Sequence, residues 1–248
     1  MQRIVAWHGF FGVKEDFALL QDDAFVLEAY DLIGHGSRKS HIRSAYTTEK
    51  QVQYWSTILQ HSDILLGYSM GGRLALQYVT SPLVDDTHKP KAMILIGASP
   101  GIQDAQEKQQ RQQWDIEMAE KFRHQPIEQS LLEWENLPII ETQTRIANAH
   151  RLAMQQHRLQ QDRESIALSM EIFGTASMTD CWDRLSMIDI PVLVLVGEED
   201  HKYRAIQTRM AQHIPNATCY TISNAGHCAH LENPHHTIQV IREWIASL

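Results

Sequence analysis

A serine hydroxyl is a poor nucleophile and a poor base until an imidazole takes its proton, and the imidazole needs a carboxylate to hold its tautomer. One serine of the 248 residues stands in a setting suited to that chemistry: Ser69, in Gly67-Tyr68-Ser69-Met70-Gly71. The apolar run Asp63-Ile64-Leu65-Leu66 leads into it, and the helix-like run Gly72-Arg73-Leu74-Ala75-Leu76-Gln77-Tyr78 leads away. The outer glycines permit a tight strand-to-helix turn that lifts the hydroxyl above a sheet edge, with the backbone N–H groups of the new helix aimed at the same spot.

The partners follow in the order Ser, Asp, His. Asp200 lies in Gly197-Glu198-Glu199-Asp200, past the apolar run Val192 to Val196, and His227 closes Asn224-Ala225-Gly226-His227 after another strand-like run. Glu198 and Glu199 compete for the acid role, but three residues beyond the strand-ending glycine is the position that suits Asp200. A developing oxyanion would be met by the Met70 N–H and, from the loop His8-Gly9-Phe10-Phe11-Gly12, by the Phe10 N–H. His8 and His35 each precede a glycine in a loop and read as structural. His227, His230, His235 and His236 cluster in the chain, yet they span a loop and a helix start. Without an H-E-x-x-H or Cys/His spacing, no metal site is expected.

Short apolar runs at Ile4–Trp7, Phe25–Tyr30, Ile64–Tyr68, Ala92–Gly97, Pro191–Gly197 and Thr218–Ile222 alternate with helical patterns. That alternation predicts an α/β fold, a mostly parallel sheet flanked by helices. The alternation stops at about Gln103 and resumes after Leu185. Between them, apolar residues such as Trp114, Met118 and Phe122 recur at helical spacing, punctuated by Pro126 and Pro138. The expected division is a core of residues 1–102 and 186–248, with 103–185 inserted as a helical cap over the strand ends.

A hydrophobic content of 43% with 21% charged residues is that of a folded globular chain, so disorder is not indicated. The formal charge of −8, without a basic run, argues against nucleic acid or an anionic membrane as partner. No apolar run reaches membrane-spanning length, and the N-terminus enters a strand at once, leaving no room for a signal peptide. Cys181, Cys219 and Cys228 are odd in number and widely spaced, which suggests reduced thiols in a cytoplasm. Oligomeric state is not encoded in any recognisable pattern.

Further residues sharpen the reading. Tyr68 precedes the serine, Arg73 follows it by four, Ser99-Pro100-Gly101-Ile102 follows a strand, and Asp200 opens into His201-Lys202-Tyr203. The chain then runs Ala225-Gly226-His227-Cys228-Ala229-His230-Leu231-Glu232-Asn233-Pro234 near its end. Together, from His8 to Pro234, these blocks closely resemble the MenH family, the 2-succinyl-6-hydroxy-2,4-cyclohexadiene-1-carboxylate synthases of menaquinone biosynthesis. The resemblance implies an α/β-hydrolase fold that performs a lyase reaction, elimination of pyruvate from 2-succinyl-5-enolpyruvyl-6-hydroxy-3-cyclohexene-1-carboxylate. It implies Ser69, His227 and Asp200 acting in proton abstraction, without a cofactor, on a small polycarboxylate. It also carries over Tyr68, Arg73, Arg111, Trp134, Arg158 and Lys202 as substrate-binding residues. Read without the family, Arg111, Trp134 and Arg158 would be helix-surface or packing residues, Tyr68 a strand-end core residue and Lys202 a solvated lysine. Ile33 departs from the pattern, standing where this fold commonly places proline.

Arg73 supports an anionic substrate on physical grounds as well. Four residues past Ser69 is one helical turn, so both side chains share a face, and a guanidinium can clamp a carboxylate through two parallel hydrogen bonds. Two other readings stay open: a serine hydrolase, carboxylesterase or C–C bond hydrolase, using the same triad, and a catalytically silent scaffold.

Overall fold

The computed structural model describes residues 1–248. Six strands form one sheet, all parallel, in the order β2-β1-β3-β4-β5-β6. They are β1 (Gln2–Trp7), β2 (Phe25–Tyr30), β3 (Ile64–Tyr68), β4 (Ala92–Ile96), β5 (Val192–Gly197) and β6 (Ala217–Ile222). Every apolar run that the sequence marks as a strand is one. The central four are near-continuous Val/Ile/Leu runs because both faces of the sheet are covered, which removes any reason for polar alternation.

Successive residues of each strand supply opposite cores. Val5, Trp7, Leu65, Met93, Leu95, Val192 and Val194 face α1 (Thr48–Trp55), α2 (Met70–Val79) and α7 (His201–Ala211). Their neighbours Ile4, Ala6, Ile64, Leu66, Ile94, Ile96, Leu193 and Leu195 face the 3-10 helix Lys14–Leu20, the short α8 (Ala229–Glu232) and α9 (Pro234–Ala246). This period of two across a parallel sheet places helices on both sides.

No strand falls between β4 and β5. That stretch holds α3 (Ala105–His124), α4 (Ile127–Glu135), the 3-10 helix Glu141–Arg145, α5 (Asn148–Leu159) and α6 (Arg163–Phe173). Asp104 and Asp162 cap α3 and α6 by accepting the backbone N–H of Glu107 and Ser165, and Pro126 precedes α4 where a missing N–H costs nothing. Helices α3, α4 and α6 share a third apolar cluster, in which Met118, Phe122, Leu131, Trp134, Ile166 and Met170 close around Phe11, a residue of the loop after β1. The helices are therefore seated directly on the loop that carries Phe10. The chain rejoins the sheet's own packing by Cys181, whose N–H donates to the Pro100 carbonyl at 2.8 Å, and Trp182 and Leu185 already belong to the core.

Candidate active site

Because the strands are parallel, their C-terminal ends share one edge, and the loops that leave β1, β3, β5 and β6 there carry Phe10, Ser69, Asp200 and His227. Ser69 adopts φ 49° and ψ −107°, a conformation that side-chain-bearing residues avoid at a cost of about 1–3 kcal/mol. Close packing around the turn fixes it there. A Cβ on Gly71 would run into the Trp7 carbonyl, and one on Gly67 would come within 2.5 Å of the Gly72 Cα. Only glycine lets β1 and the start of α2 approach so closely.

His227 Nε2 lies 3.1 Å from Ser69 Oγ, and its Nδ1 lies 2.7 Å from Asp200 Oδ2. Asp200 and His227 are buried. Asp200 also caps α7 by accepting the Tyr203 N–H at 3.3 Å, which orients the carboxylate toward the imidazole. Glu198 instead accepts the Asn224 N–H, and Glu199 pairs with Arg145, so neither competing acid touches His227. The arrangement can draw the proton from Ser69 and leave an oxygen able to act as base or nucleophile.

Met70 is the first residue of α2, where an N–H has no acceptor in its own helix, and the Phe10 N–H has no partner within the protein. The neighbouring histidines hold this loop in shape. His8 Nε2 accepts the Leu32 N–H at 2.9 Å, and His35 Nε2 accepts the Phe11 N–H at 3.1 Å, where Phe11 has φ 61°. Burial pushes these imidazoles down to about 4 and about 3, so both remain neutral acceptors at neutral pH.

Above this edge lies a cavity of about 330 Å³. Phe10, Tyr68, Ser69, Arg73, Arg111, Trp134, Arg158, Lys202 and His227 all line it. The four cations differ in what already neutralises them. Arg73 is buried, donates from Nη1 to Thr175 Oγ1 at 2.8 Å, leaves Nε without a partner, and has no carboxylate at ion-pair distance. Burial pushes its guanidinium down to about 10, still charged at neutral pH. Arg111 gives Nε to Asp115 at 2.8 Å and lies over the Trp114 ring. Arg158 is shared between Glu135 at 3.2 Å and Gln143 at 3.0 Å, and the exposed Lys202 faces Glu107 at 3.6 Å.

Known proteins that this chain is similar to fall in one family. A model of the "Alpha/beta hydrolase family" matches residues 4–238. A 2-succinyl-6-hydroxy-2,4-cyclohexadiene-1-carboxylate synthase of Klebsiella pneumoniae is 30% identical over 98% of this chain and 94% of its own length. A Bacillus subtilis protein that bears the same name provisionally is 30% identical over the whole of this chain and 91% of its own. The structure of MenH from S. aureus superposes with a TM-score of 0.91 at 30% identity, covering 99% of this chain and 94% of that one. The chain belongs to the MenH family of alpha/beta hydrolases. A thermophilic esterase from Thermogutta terrifontis, 22% identical with a TM-score of 0.73, shares the fold alone.

Other residues of the cavity carry no sequence signal that names them. Asp16, Gln143, Thr175 and Tyr203 reach it from separate segments, brought together only by the fold. Asp16 is the one carboxyl among the lining residues. Burial pushes it up to about 6 against the opposing pull of Arg158, and its Oδ2 accepts the Val13 N–H at 3.1 Å. Tyr203 packs its ring 4.5 Å from that of His227. The histidines of the C-terminal cluster go separate ways. His230 is buried against Phe17 and Tyr68, His236 bonds Ser223, and no group of three or more potential ligands is placed to hold a metal ion. Cys181, Cys219 and Cys228 are unpaired; Cys228 lines the cavity, but burial pushes its thiol well up.

Proposed function

We propose that this chain eliminates pyruvate from 2-succinyl-5-enolpyruvyl-6-hydroxy-3-cyclohexene-1-carboxylate, giving 2-succinyl-6-hydroxy-2,4-cyclohexadiene-1-carboxylate. His227 draws the proton from Ser69 Oγ while Asp200 holds Nδ1–H. The serine oxygen then removes the ring proton beside the succinyl ketone. The Phe10 and Met70 N–H groups receive the negative charge that develops on the ketone oxygen. The electron pair moves through the ring double bond and breaks the C–O bond to enolpyruvate, which takes a proton and leaves. No bond to Ser69 forms, and the residues supply every proton movement without a cofactor.

The observation that carries this reading is Arg73, a buried cation with no carboxylate partner in the same cavity as the Ser69–His227 pair. Burying an unpaired guanidinium is unfavourable in the free protein and becomes favourable when an anion arrives. A neutral ester gives it no counter-ion. Arg111, Arg158 and Lys202 supply further positive charge for a substrate with several carboxylates, and Tyr68 and Trp134 pack its ring. In this reading residues 103–185 act as a cap that closes the cavity over the core of 1–102 and 186–248. No helix is long and apolar enough to cross a membrane. We place the enzyme in the cytoplasm, whose reducing conditions maintain the three free thiols.

The test offers purified protein freshly made enolpyruvyl substrate and, in parallel, a simple aryl ester. Pyruvate release far faster than ester cleavage is the expected result. Fast ester cleavage without pyruvate would favour a serine hydrolase.

A further inference from the structure

We infer that Glu232 is a positioning residue that holds His227 in line with Ser69 and Asp200, and ties that alignment to the 3-10 helix Glu141–Arg145. The inference rests on the reading of His227 as the proton acceptor.

The loop between β6 and α8 presents two backbone N–H groups on either side of His227, those of Gly226 and Cys228. Both donate to the one Glu232 carboxylate, Gly226 to Oε2 at 2.6 Å and Cys228 to Oε1 at 3.1 Å. The Cys228 N–H belongs to the peptide group that joins it to His227 and the Gly226 N–H to the one that joins Ala225 to Gly226, so holding both brackets the backbone of His227 and restricts the direction in which its Cα–Cβ bond leaves the chain. The imidazole must bridge Ser69 Oγ and Asp200 Oδ2, so a small rotation of that bond lengthens both contacts together. A carboxylate suits the task because it only accepts, whereas an amide would bring N–H donors toward two other donors.

The same carboxylate accepts a third hydrogen bond, from the Thr142 hydroxyl to Oε1 at 3.0 Å. Thr142 belongs to the 3-10 helix, and it packs so tightly on Gly226 that a Cβ there would overlap it. Three residues on, Arg145 makes a two-pronged ion pair with Glu199, the residue before Asp200. One short segment of the helical insertion therefore grips the loops that carry both the base and its acid. Moving that segment would disturb the alignment of His227 while leaving Arg73 and the α2 turn untouched.

The test compares wild type with Glu232→Gln and Thr142→Val. It reads kcat and KM on whichever of the enolpyruvyl substrate and the aryl ester the wild type turns over. It also reads thermal melting and the far-downfield proton resonance of the His227 Nδ1–H bond to Asp200. Glu232→Gln is expected to lower kcat by about tenfold or more with KM changed by less than about threefold, and to broaden or shift the resonance. Thr142→Val, which keeps the two backbone bonds, is expected to lower kcat by about threefold and move the resonance less. An unchanged resonance with kcat within about twofold in Glu232→Gln would overturn the proposal. So would a Glu232→Gln protein that fails to fold, if Thr142→Val then behaves as wild type. A wild type that cleaves only the ester would refute the proposed reaction, and the resonance and ester rates would still decide Glu232.

Discussion

In the proposed function, Arg73 is the residue at which binding and stability pull in opposite directions. Its guanidinium is desolvated and lacks a counter-ion, so the free protein bears a cost that an incoming carboxylate relieves. Arg73→Met should therefore raise the melting temperature of the free protein, by about 1 kcal/mol of stability, while abolishing tight substrate binding. Arg73→Ala should cost kcat/KM about 2–5 kcal/mol, about a thirtyfold loss or more, and Arg73→Lys should restore only part of it because an ammonium cannot make the paired, planar contact. Steady-state kinetics and thermal melts check both; unchanged kcat/KM in Arg73→Ala would mean that Arg73 does not clamp a carboxylate. This residue was legible in the sequence because a spacing of four along one helix is a local relation. Asp16, Thr175 and Tyr203 were not, because each enters the cavity through contacts between segments far apart in the chain. Glu232 stood in plain view within the Ala225–Pro234 block, but its use, accepting two N–H groups that flank the histidine, is visible only in three dimensions.

The turn from β3 into α2 is the element on which the proposed reactivity of Ser69 depends. It depends on contacts that tolerate no side chain: Gly71 against the carbonyl of Trp7, and Gly67 against Gly72. Gly71→Ala must push α2 away from β1, and overpacking of that kind typically costs about 1–3 kcal/mol. The same shift carries the Met70 N–H and Ser69 Oγ out of place, so activity should fall much further than stability. A chemical denaturation curve together with an activity assay measures the two losses, and a fully active Gly71→Ala would show that the turn has slack. The strands of the sheet centre were readable because burial on both faces leaves short, uninterrupted apolar runs. β6 is an edge strand with mostly exposed side chains, and its Thr218–Ile222 run reads as one of the short apolar runs although Thr218 and Thr221 interrupt it. The helices between β4 and β5 were readable as helical spacing. Their arrangement around Phe11 was not, since nothing local to that loop announces that Phe122 and Trp134 will close over it.

Over the whole molecule, a chain of net charge −8 gathers four cations in one cavity, and the proposed function has them bind the anion against the chain's own overall field. The buried histidines set a second global property. His8, His35 and His230 are held neutral, pushed down by burial to about 4, about 3 and about 3. In the unfolded chain each gains a proton near pH ~6.5, so below that pH the unfolded state binds protons that the folded state refuses. Stability from these three groups is present above about pH 6.5 and is lost as pH falls toward their folded values. Asp16, raised to about 6, works the other way: it keeps its proton in the folded state after the unfolded chain has released it, which favours the fold on acidification. Three groups outweigh one, so the melting temperature should drop between pH 7 and pH 5. His230→Phe should flatten that slope, since both ring nitrogens of His230 lack partners and its ring stacks on Phe17. An unaltered slope in that variant would contradict the buried neutral imidazole.

In the proposed function Ser69 works as a base in an elimination, and pyruvate release reads that step. Wild type and Ser69→Ala are given the same enolpyruvyl substrate, with pyruvate measured continuously. Rapid, stoichiometric pyruvate is expected from the wild type, with a loss of about 10³-fold or more in the variant. Pyruvate release that survives in Ser69→Ala, or its absence in the wild type, would contradict the proposed function.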